Sequence, residues 1–265
     1  MKKIRINTLL RKKQKGEKIT ALTAYDYTFA YLMDEAGVDV ILVGDSVGNV
    51  SAGYDTTVPV TMNEMVYHTK SVKRGVKNSL LVADLPFMSY QVSKSDAIYN
   101  AGRLMKEGGA EAVKLEGGEI HLKTIDHLVK IGIPVMGHLG LTPQSVNQFG
   151  GFGVRGKSDS EANQIIKSAK LLEEAGAFSI VLEKIPADLA KEISKSLTIP
   201  TIGIGAGAGC DGQILVSYDM LGLFDKFKPA FVKHFRKLGD EVRGAVKEYC
   251  EDVKVGRFPS KDESY

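Results

Sequence analysis

The sequence has few cysteines, little net charge and no long apolar run, and each of these features excludes a class of protein or a kind of site. Its two cysteines, Cys210 and Cys250, lie far apart, which excludes a disulfide framework and a paired-cysteine metal site. A reducing cytoplasm is therefore the expected location. The formal net charge of +3 over 265 residues is too small for a dedicated nucleic-acid surface. No apolar run approaches the length of a membrane span.

Apolar runs alternate with amphipathic stretches along the chain, and this alternation predicts the fold. The runs are rich in Val, Ile and Leu, as buried parallel strands are. Eight of them are predicted as strands: Ile19–Tyr25, Val38–Gly44, Leu80–Leu85, Glu111–Glu116, Pro134–Leu139, Phe178–Glu183, Pro200–Gly205 and Gln213–Ser217. Eight strands alternating with helices indicate an α/β fold of the (β/α)8 TIM-barrel type. A doubly wound open sheet is the alternative, but no composition break marks the second domain that it would bring.

Six helices are predicted between these strands, and both ends of the chain add further segments. The helical patterns are Tyr27–Ala36, Asn63–Val76, Lys94–Gly108, Ile120–Ile131, Ser160–Ala175 and Ala187–Ser196. The basic segment Met1–Lys18 lacks the apolar core of a secretory signal and is expected to be an arm or short helix on the barrel. Pro229–Val255 is expected to form one or two helices before a polar end. We therefore expect one domain over residues 1–265, with an N-terminal basic arm and C-terminal helices.

Two long connections are expected to be functional. Ser46–Thr61 follows the second strand, and long loops in compact domains usually serve a site. Thr142–Lys157 follows the fifth strand and carries four glycines, a composition typical of a mobile lid. An ordinary surface excursion is the alternative for this second segment.

Three of the apolar runs end in an acidic residue, and this pattern predicts a metal site. Asp45, Asp84 and Glu116 close the second, third and fourth strands. The carboxyl ends of parallel strands meet at one rim, where α/β enzymes bind their ligands. Carboxylates converging there repel one another unless a cation neutralises them. Oxygen ligands of this kind suit a hard divalent ion such as Mg²⁺.

Other polar residues at the same rim are candidates for substrate binding and proton transfer. Lys114 and Glu116 share one face of the fourth strand, where Lys114 could hold a substrate carboxylate or form a structural ion pair with Glu116. Glu183 ends the sixth strand and is a candidate general base, although glutamates at strand ends are common. His138 ends the fifth strand and is either a satisfied rim residue or a hydrogen-bonding partner of substrate.

Ten ordered segments make the chain resemble the ketopantoate hydroxymethyltransferase family along nearly its whole length. They are Leu22–Asp26, Gly44–Gly48, Gly53–Thr61, Val82–Phe87, Val113–Gly118, Gly137–Gln144, Val181–Glu183, Pro200–Gly207, Cys210–Gln213 and Asp219–Leu223. Two departures stand out. Asn49 lies where the family often has Met, and Lys184 lies where a small residue is common.

The resemblance implies a reaction and a set of residue roles. 3-Methyl-2-oxobutanoate would receive a hydroxymethyl group from 5,10-methylenetetrahydrofolate, giving ketopantoate for pantothenate and coenzyme A synthesis. One Mg²⁺ per subunit would be bound by Asp45 and Asp84, with Glu116 completing its shell directly or through water. Ser46, Lys114 and His138, together with Asp45 and Asp84, would bind the keto acid, and Glu183 would accept the proton. The family also implies a homodecamer, with no membrane or nucleic-acid partner.

Two other interpretations compete with this one. The family resembles the phosphoenolpyruvate mutase and isocitrate lyase group, so a Mg²⁺-dependent mutase or carbon–carbon lyase is the alternative reaction. That group normally uses a reactive cysteine or a phosphate site, and Cys210 is the sole cysteine near the predicted rim. A non-enzymatic scaffold on an inactivated barrel is the other alternative, but such a copy would be expected to lose one of the four acidic residues, and all four are present.

Overall fold

A computed structural model describes residues 2–224 and 229–265 and contains a closed parallel barrel. In the described residues the barrel has eight strands: β1 (Ile19–Thr23), β2 (Val40–Val43), β3 (Leu80–Asp84), β4 (Ala112–Lys114), β5 (Val135–Gly140), β6 (Ser179–Glu183), β7 (Thr201–Ile204) and β8 (Gly212–Leu215). They pair in chain order and β8 closes on β1. The TIM-barrel prediction is confirmed, and an open sheet is excluded.

In the described chain, helices follow each of the first six strands of this barrel, one helix precedes β1 and two helices follow β8. They are α1 (Ile6–Lys15), α2 (Tyr27–Glu35), α3 (Val47–Val50), α4 (Met62–Gly75), α5 (Lys94–Lys106), α6 (Leu122–Lys130), α7 (Val146–Phe149), α8 (Asp159–Glu174), α9 (Ala187–Ser196), α10 (Ser217–Leu221) and α11 (Leu238–Lys254). Short 3-10 turns occupy Glu119–His121 and Pro143–Ser145. Two connections therefore contain helices that were not predicted, α3 after β2 and α7 after β5.

Side-chain alternation along the strands fills the barrel interior with apolar groups. Ala21, Leu42, Val82 and Ala112 belong to one buried cluster inside the barrel. The next inward position on β4 is Lys114, and Glu116 follows it, as the alternation predicts. Charged side chains therefore enter the interior at the carboxyl ends of the strands, above an apolar floor.

The basic N-terminal segment closes the opposite end of the barrel. Leu9 of α1 is fully buried within the interior cluster. Three lysines of this segment form ion pairs with acidic residues that precede strands: Lys3 with Glu111 at 2.6 Å, Lys12 with Asp39 at 2.6 Å and Lys13 with Asp211 at 2.7 Å. Each of these acidic side chains also accepts a backbone N–H from a neighbouring strand. The lysines of this segment therefore stabilise the end of the barrel where the strands begin.

The structure corrects one predicted boundary near the C-terminus and agrees with the expectation of one or two helices in the segment that follows. Ser217 begins α10, whereas the prediction placed it at the end of the eighth strand. Within Pro229–Val255 the described chain forms one helix, α11, because residues 229–237 adopt turns and extended backbone. The chain divides into two compact units, one ending at Val216 and one running from Ser217 to Tyr265. The expected single domain over residues 1–265 stays a prediction, and residues 1 and 225–228 lie outside the described part.

No helix in residues 2–224 or 229–265 combines the length and apolar character needed to cross a bilayer.

Candidate active site

Charged side chains from β2 to β6 converge inside the carboxyl end of the barrel. Asp45, Asp84, Lys114, Glu116 and His138 are all buried. Such burial is costly for isolated charges, so each of these groups needs partners. The structure brings together every strand-end residue predicted for the site except Ser46, which lies beside the cluster.

Lys114 is paired with Asp84 across two neighbouring strands. The two residues are register partners of β3 and β4, which brings Lys114 Nζ within 3.0 Å of Asp84 Oδ1. Burial would lower the pKa of Lys114, but the negative charges of Asp84, Glu116 and Asp45 outweigh it and raise that pKa above its ordinary value. Lys114 is therefore a fixed cation among carboxylates, and its ion pair is with Asp84 where the sequence had suggested Glu116.

Asp45 and Asp84 lie close together, and Lys114 is the one cation that pairs with either of them among the described residues. The backbone N–H of Asp45 donates to Asp84 Oδ2 at 3.1 Å. Burial, followed by the charges of Asp84 and Glu116, raises the pKa of Asp45 well above its usual range. Burial is also the main cause that raises the pKa of Asp84. Binding of an additional positive charge would therefore stabilise the ionised forms of these two carboxylates.

His138 lies between two glutamates. Its Nδ1 is 3.4 Å from Glu116 Oε1 and its Nε2 is 3.1 Å from Glu183 Oε2. Burial and the nearby Lys114 favour neutral imidazole, but the contacts with the Glu116 and Glu183 carboxylates prevail and raise the pKa of His138 to about 9. The Glu183 side chain is 16% exposed and that of His138 only 4%, so Glu183 is the carboxylate at the mouth of the site.

Ser46 follows Asp45 at the start of α3 and is half-buried. Its Oγ is 2.8 Å from the hydroxyl of the buried Tyr25, in the loop after β1. This contact fixes the position of a hydroxyl next to the carboxylates, where it can hydrogen-bond to a bound anion.

Two residues of the site, Gln144 and Tyr90, were missed by the sequence analysis. Gln144 lies in the 3-10 turn after β5, and its Nε2 donates to Asp45 Oδ2 at 2.9 Å. Tyr90 lies in the loop after β3, and its hydroxyl donates to Gln144 Oε1 at 2.8 Å. Both come from loops, where no periodicity predicts the direction of a side chain. The one available signal was that Gln144 ends a segment shared with the family.

The donor set at this rim suits a hard divalent cation. Asp84 Oδ1 is buried and finds no aligned hydrogen-bond donor in the described chain, although Lys114 Nζ lies near it. Carboxylate oxygens are the ligands that Mg²⁺ prefers. Across the described ranges, no three His, Cys, Asp or Glu side chains are grouped as a complete metal site. Two carboxylates supply fewer oxygens than Mg²⁺ takes, so a cation bound by Asp45 and Asp84 would keep water or substrate oxygens in its shell, as Mg²⁺ usually does.

Comparison with known proteins identifies the family. A family model described as ketopantoate hydroxymethyltransferase matches residues 3–261. The chain belongs to this family. A 3-methyl-2-oxobutanoate hydroxymethyltransferase of Syntrophus aciditrophicus (strain SB) is 58% identical over 264 residues, which cover 100% of this chain and 97% of that protein. The enzyme of the same name from Caldicellulosiruptor bescii is 55% identical over 265 residues and is covered completely, as is this chain.

Family membership makes the chain an enzyme of hydroxymethyl transfer to 3-methyl-2-oxobutanoate. It favours this reaction over the mutase or lyase alternative. The two departures from the family pattern lie beside the site: Asn49 Nδ2 donates to the Tyr54 carbonyl at 2.9 Å, and Lys184 follows Glu183 with a φ of 50°.

Solved structures of distant sequence share the barrel. A phosphonopyruvate hydrolase in complex with oxalate and Mg²⁺ matches with a TM-score of 0.64 at 15% identity, covering 98% of this chain and 93% of that one. A 2,3-dimethylmalate lyase of the phosphoenolpyruvate mutase/isocitrate lyase superfamily matches with a TM-score of 0.61 at 16% identity, covering 98% and 91%. At these identities the likeness establishes the barrel fold alone.

Proposed function

We propose that the enzyme transfers the hydroxymethyl group from 5,10-methylenetetrahydrofolate and that it depends on Mg²⁺. The observation that carries the proposal is the buried pair of Asp45 and Asp84, which lies beside a fixed cation, Lys114, and a basic group at the mouth, Glu183. A keto acid needs these three elements: a cation site for its oxygens, a positive group for its carboxylate and a base for its C3 proton.

Asp45 and Asp84 would hold the metal directly, and Glu116 would complete its shell through water. Glu116 Oε2 already accepts the backbone N–H of Gln144 at 2.9 Å, and Oε1 faces His138, so both oxygens have other partners. When bound, the cation would withdraw electron density from the keto group and stabilise negative charge on its oxygen. The related barrel that was solved with oxalate and Mg²⁺ supports this choice, because oxalate has the paired oxygens of a 2-oxo acid.

Substrate binding would use the groups that surround the two aspartates. The Lys114 ammonium would attract the carboxylate of 3-methyl-2-oxobutanoate, and the Ser46 hydroxyl would donate a hydrogen bond to it. His138 would donate from Nδ1, whose contact with Glu116 Oε1 is long at 3.4 Å, to the substrate oxygen that becomes negative, while its Nε2 stays against Glu183. These groups would orient the keto acid with its C3 proton toward the open side of the site.

Glu183 would accept the C3 proton. It is the most exposed carboxylate of the cluster, and His138 at 3.1 Å would hold its orientation. The resulting enolate would form a bond from C3 to the one-carbon unit of the folate. In the overall reaction both C–N bonds of the methylene group break: C3 replaces one folate nitrogen and the oxygen of one water replaces the other. The C3 proton and one proton of the water go to the two nitrogens, so tetrahydrofolate is released without any change in redox state.

The position of Cys210 argues against the mutase-type alternative. The sequence placed this cysteine near the rim, but it directly precedes Asp211, whose carboxylate pairs with Lys13 of α1 at the opposite end of the barrel. Cys210 is fully buried, and burial raises the pKa of its thiol above the ordinary value. A buried thiol of this kind is a poor nucleophile. The chemistry that relies on a reactive cysteine therefore gains no support from this residue.

A closed homo-oligomer, decameric by resemblance to the family, is also part of the proposal. Helix α11 carries Val242, Val246, Tyr249 and Val253 at the spacing of one helix face, and each side chain is about half exposed. An apolar stripe of this length is typical of an interface. Light scattering that gave a monomer at working concentration would contradict the assembly.

We also propose a cytoplasmic location, because neither cysteine forms a disulfide. Cys210 and Cys250 are both free thiols, and Cys250 is exposed. Reducing compartments keep such groups from pairing.

The proposed reaction can be tested by proton NMR of 3-methyl-2-oxobutanoate in D₂O. Enzyme with Mg²⁺ should remove the C3 proton signal without folate, because Glu183 would exchange that proton with solvent. Adding methylenetetrahydrofolate should produce ketopantoate. Exchange that persisted after complete removal of divalent ions would contradict the role of the metal. No exchange and no product would contradict the proposed use of Glu183 and of the folate donor.

A further inference from the structure

Gln144 is the residue that connects the proposed metal ligands to the rest of the site. Its side-chain Nε2 donates to Asp45 Oδ2 and to the Leu85 carbonyl, each at 2.9 Å. Its backbone N–H donates to Glu116 Oε2, also at 2.9 Å. One loop residue after β5 therefore contacts a carboxylate after β2 and a carboxylate after β4. The Leu85 carbonyl adds a third anchor, directly after Asp84 on β3.

The amide of Gln144 is itself held in one orientation. Its Oε1 accepts from the Tyr90 hydroxyl at 2.8 Å and from Gln91 Nε2 at 3.2 Å. Tyr90 is anchored in turn, because its hydroxyl also lies 3.2 Å from the backbone nitrogen of Glu116. With both acceptor positions of Oε1 occupied by donors, the amide nitrogen has to face Asp45. Gln144 is buried, so solvent does not compete for these bonds.

We infer that Gln144 is a positioning residue that fixes Asp45 for binding of the divalent cation and, through it, of the keto acid. This inference rests on the proposed function and deepens it. Gln144 donates to Oδ2 of Asp45, which would leave the second oxygen of that carboxylate available to a bound cation. Without the amide, Asp45 would have to be ordered by the metal itself, and the affinity would fall. Partners that orient metal ligands typically change metal affinity 10- to 100-fold when they are removed.

A Gln144→Met substitution tests this role. Methionine has nearly the same length but no donor, so it removes the hydrogen bond to Asp45 while the backbone N–H keeps its bond to Glu116. The matched control is Gln148→Met, which makes the same change at an exposed glutamine of α7 in the same connection. Thermal unfolding of all three proteins without metal would report any loss of stability.

Binding of Mn²⁺, a paramagnetic substitute for Mg²⁺, provides the readout without any turnover. Titration followed by electron paramagnetic resonance should give a Kd that is 10- to 100-fold higher for Gln144→Met than for wild type, with Gln148→Met within about threefold of wild type. The KM for 3-methyl-2-oxobutanoate should rise by a larger factor than kcat falls, because the loss is in binding.

The outcomes separate this inference from the proposed function. Equal Mn²⁺ affinity in wild type and Gln144→Met would overturn the positioning role and leave the metal proposal intact. Lower melting temperature with unchanged Kd would overturn it in the same way, since Gln144 would then be structural only. If wild type itself bound no Mn²⁺, both the inference and the metal-dependent function would be wrong.

Discussion

Nε2 of His138 lies 3.1 Å from Oε2 of Glu183, so the most exposed carboxylate of the site is in contact with its buried imidazole. The contact has the distance of an ion pair, but within the described chain Nε2 has no hydrogen bond of good alignment. Catalytic contacts are often loose before substrate binds. The pairing gives the two residues distinct roles: Glu183 can reach a substrate from the mouth, and His138 can hold it in place.

Replacing Glu183 by Gln should stop proton removal while leaving the metal site intact. The amide keeps the size of the side chain but cannot accept the C3 proton, and loss of a general base typically costs 10²- to 10⁴-fold in rate. Mn²⁺ affinity should stay within about threefold of wild type, because the change lies outside the two aspartates. Proton NMR in D₂O gives the exchange rate, and the exposed Glu174→Gln serves as control. Normal exchange in Glu183→Gln would assign the base to another group.

Replacing Asp84 by Asn should weaken metal binding and abolish turnover. The substitution removes one of the two carboxylates proposed as direct ligands and also the partner of Lys114 at 3.0 Å. We expect Mn²⁺ affinity to drop by at least tenfold, measured by isothermal titration calorimetry, with kcat below detection. Asp55→Asn, an exposed aspartate in the connection after β2, should bind metal like wild type. Unchanged metal dependence in Asp84→Asn would refute the assignment of this ligand.

The strands could be predicted from their apolar runs, and the strand-end residues could be predicted from side-chain alternation and parallel pairing. Buried parallel strands need continuous apolar runs, and all eight runs became strands of the barrel. Side-chain alternation then placed Lys114 and Glu116 inward, and parallel pairing brought Asp45 and Asp84 to the same rim. The pairing of Lys114 with Asp84 required the register between β3 and β4, which no single strand contains.

Residues in loops escaped prediction because their direction depends on the whole fold. Gln144 reaches Asp45 only because a 3-10 turn at Pro143–Ser145 returns the chain over the rim. Tyr90 has no periodic neighbour that could have indicated its direction. The error at Ser217 has a different origin: an apolar run continued past β8, and the helix that follows begins within it. Sequence patterns locate regular elements better than their ends.

Truncating Leu9 should test how far the N-terminal helix supports the barrel. Leu9 is fully buried in the interior cluster, so Leu9→Ala removes apolar contact and leaves a cavity. Such changes usually lower the free energy of unfolding by about 2–5 kcal/mol. Leu32→Ala, at a position that is 54% exposed in α2, should change it by less than about 0.5 kcal/mol. Urea unfolding followed by circular dichroism measures both, and equal small effects would mean that α1 only rests on the surface.

Asp34 should give stability that depends on pH. Burial alone would raise its pKa, but hydrogen bonds from Ser79, Asn78 and Lys77 prevail and lower that pKa below the ordinary value. A carboxylate whose pKa is lowered by folding stabilises the protein above its unfolded pKa, and this contribution is lost as pH falls through the folded pKa. Asp34→Asn should therefore cost about 1–3 kcal/mol at neutral pH and less in acid. Urea unfolding across that pH range checks this, with the exposed Asp126→Asn as control.

Lys184 should control the mobility of the glycine-rich segment after β5. Its Nζ donates to the Phe152 carbonyl, and its own carbonyl accepts the backbone N–H of Arg155 at 3.0 Å. Lys184→Met removes the first tether and keeps the second, so amide hydrogen exchange of residues 150–156 should quicken several-fold. Lys157→Met, at an exposed lysine of the same segment, should leave exchange unchanged.

A φ of 50° is strained for any residue except glycine, so Lys184→Gly should loosen the segment without lowering overall stability. Unaltered exchange in both Lys184 variants would show that the segment is held by Arg155 and its neighbours alone.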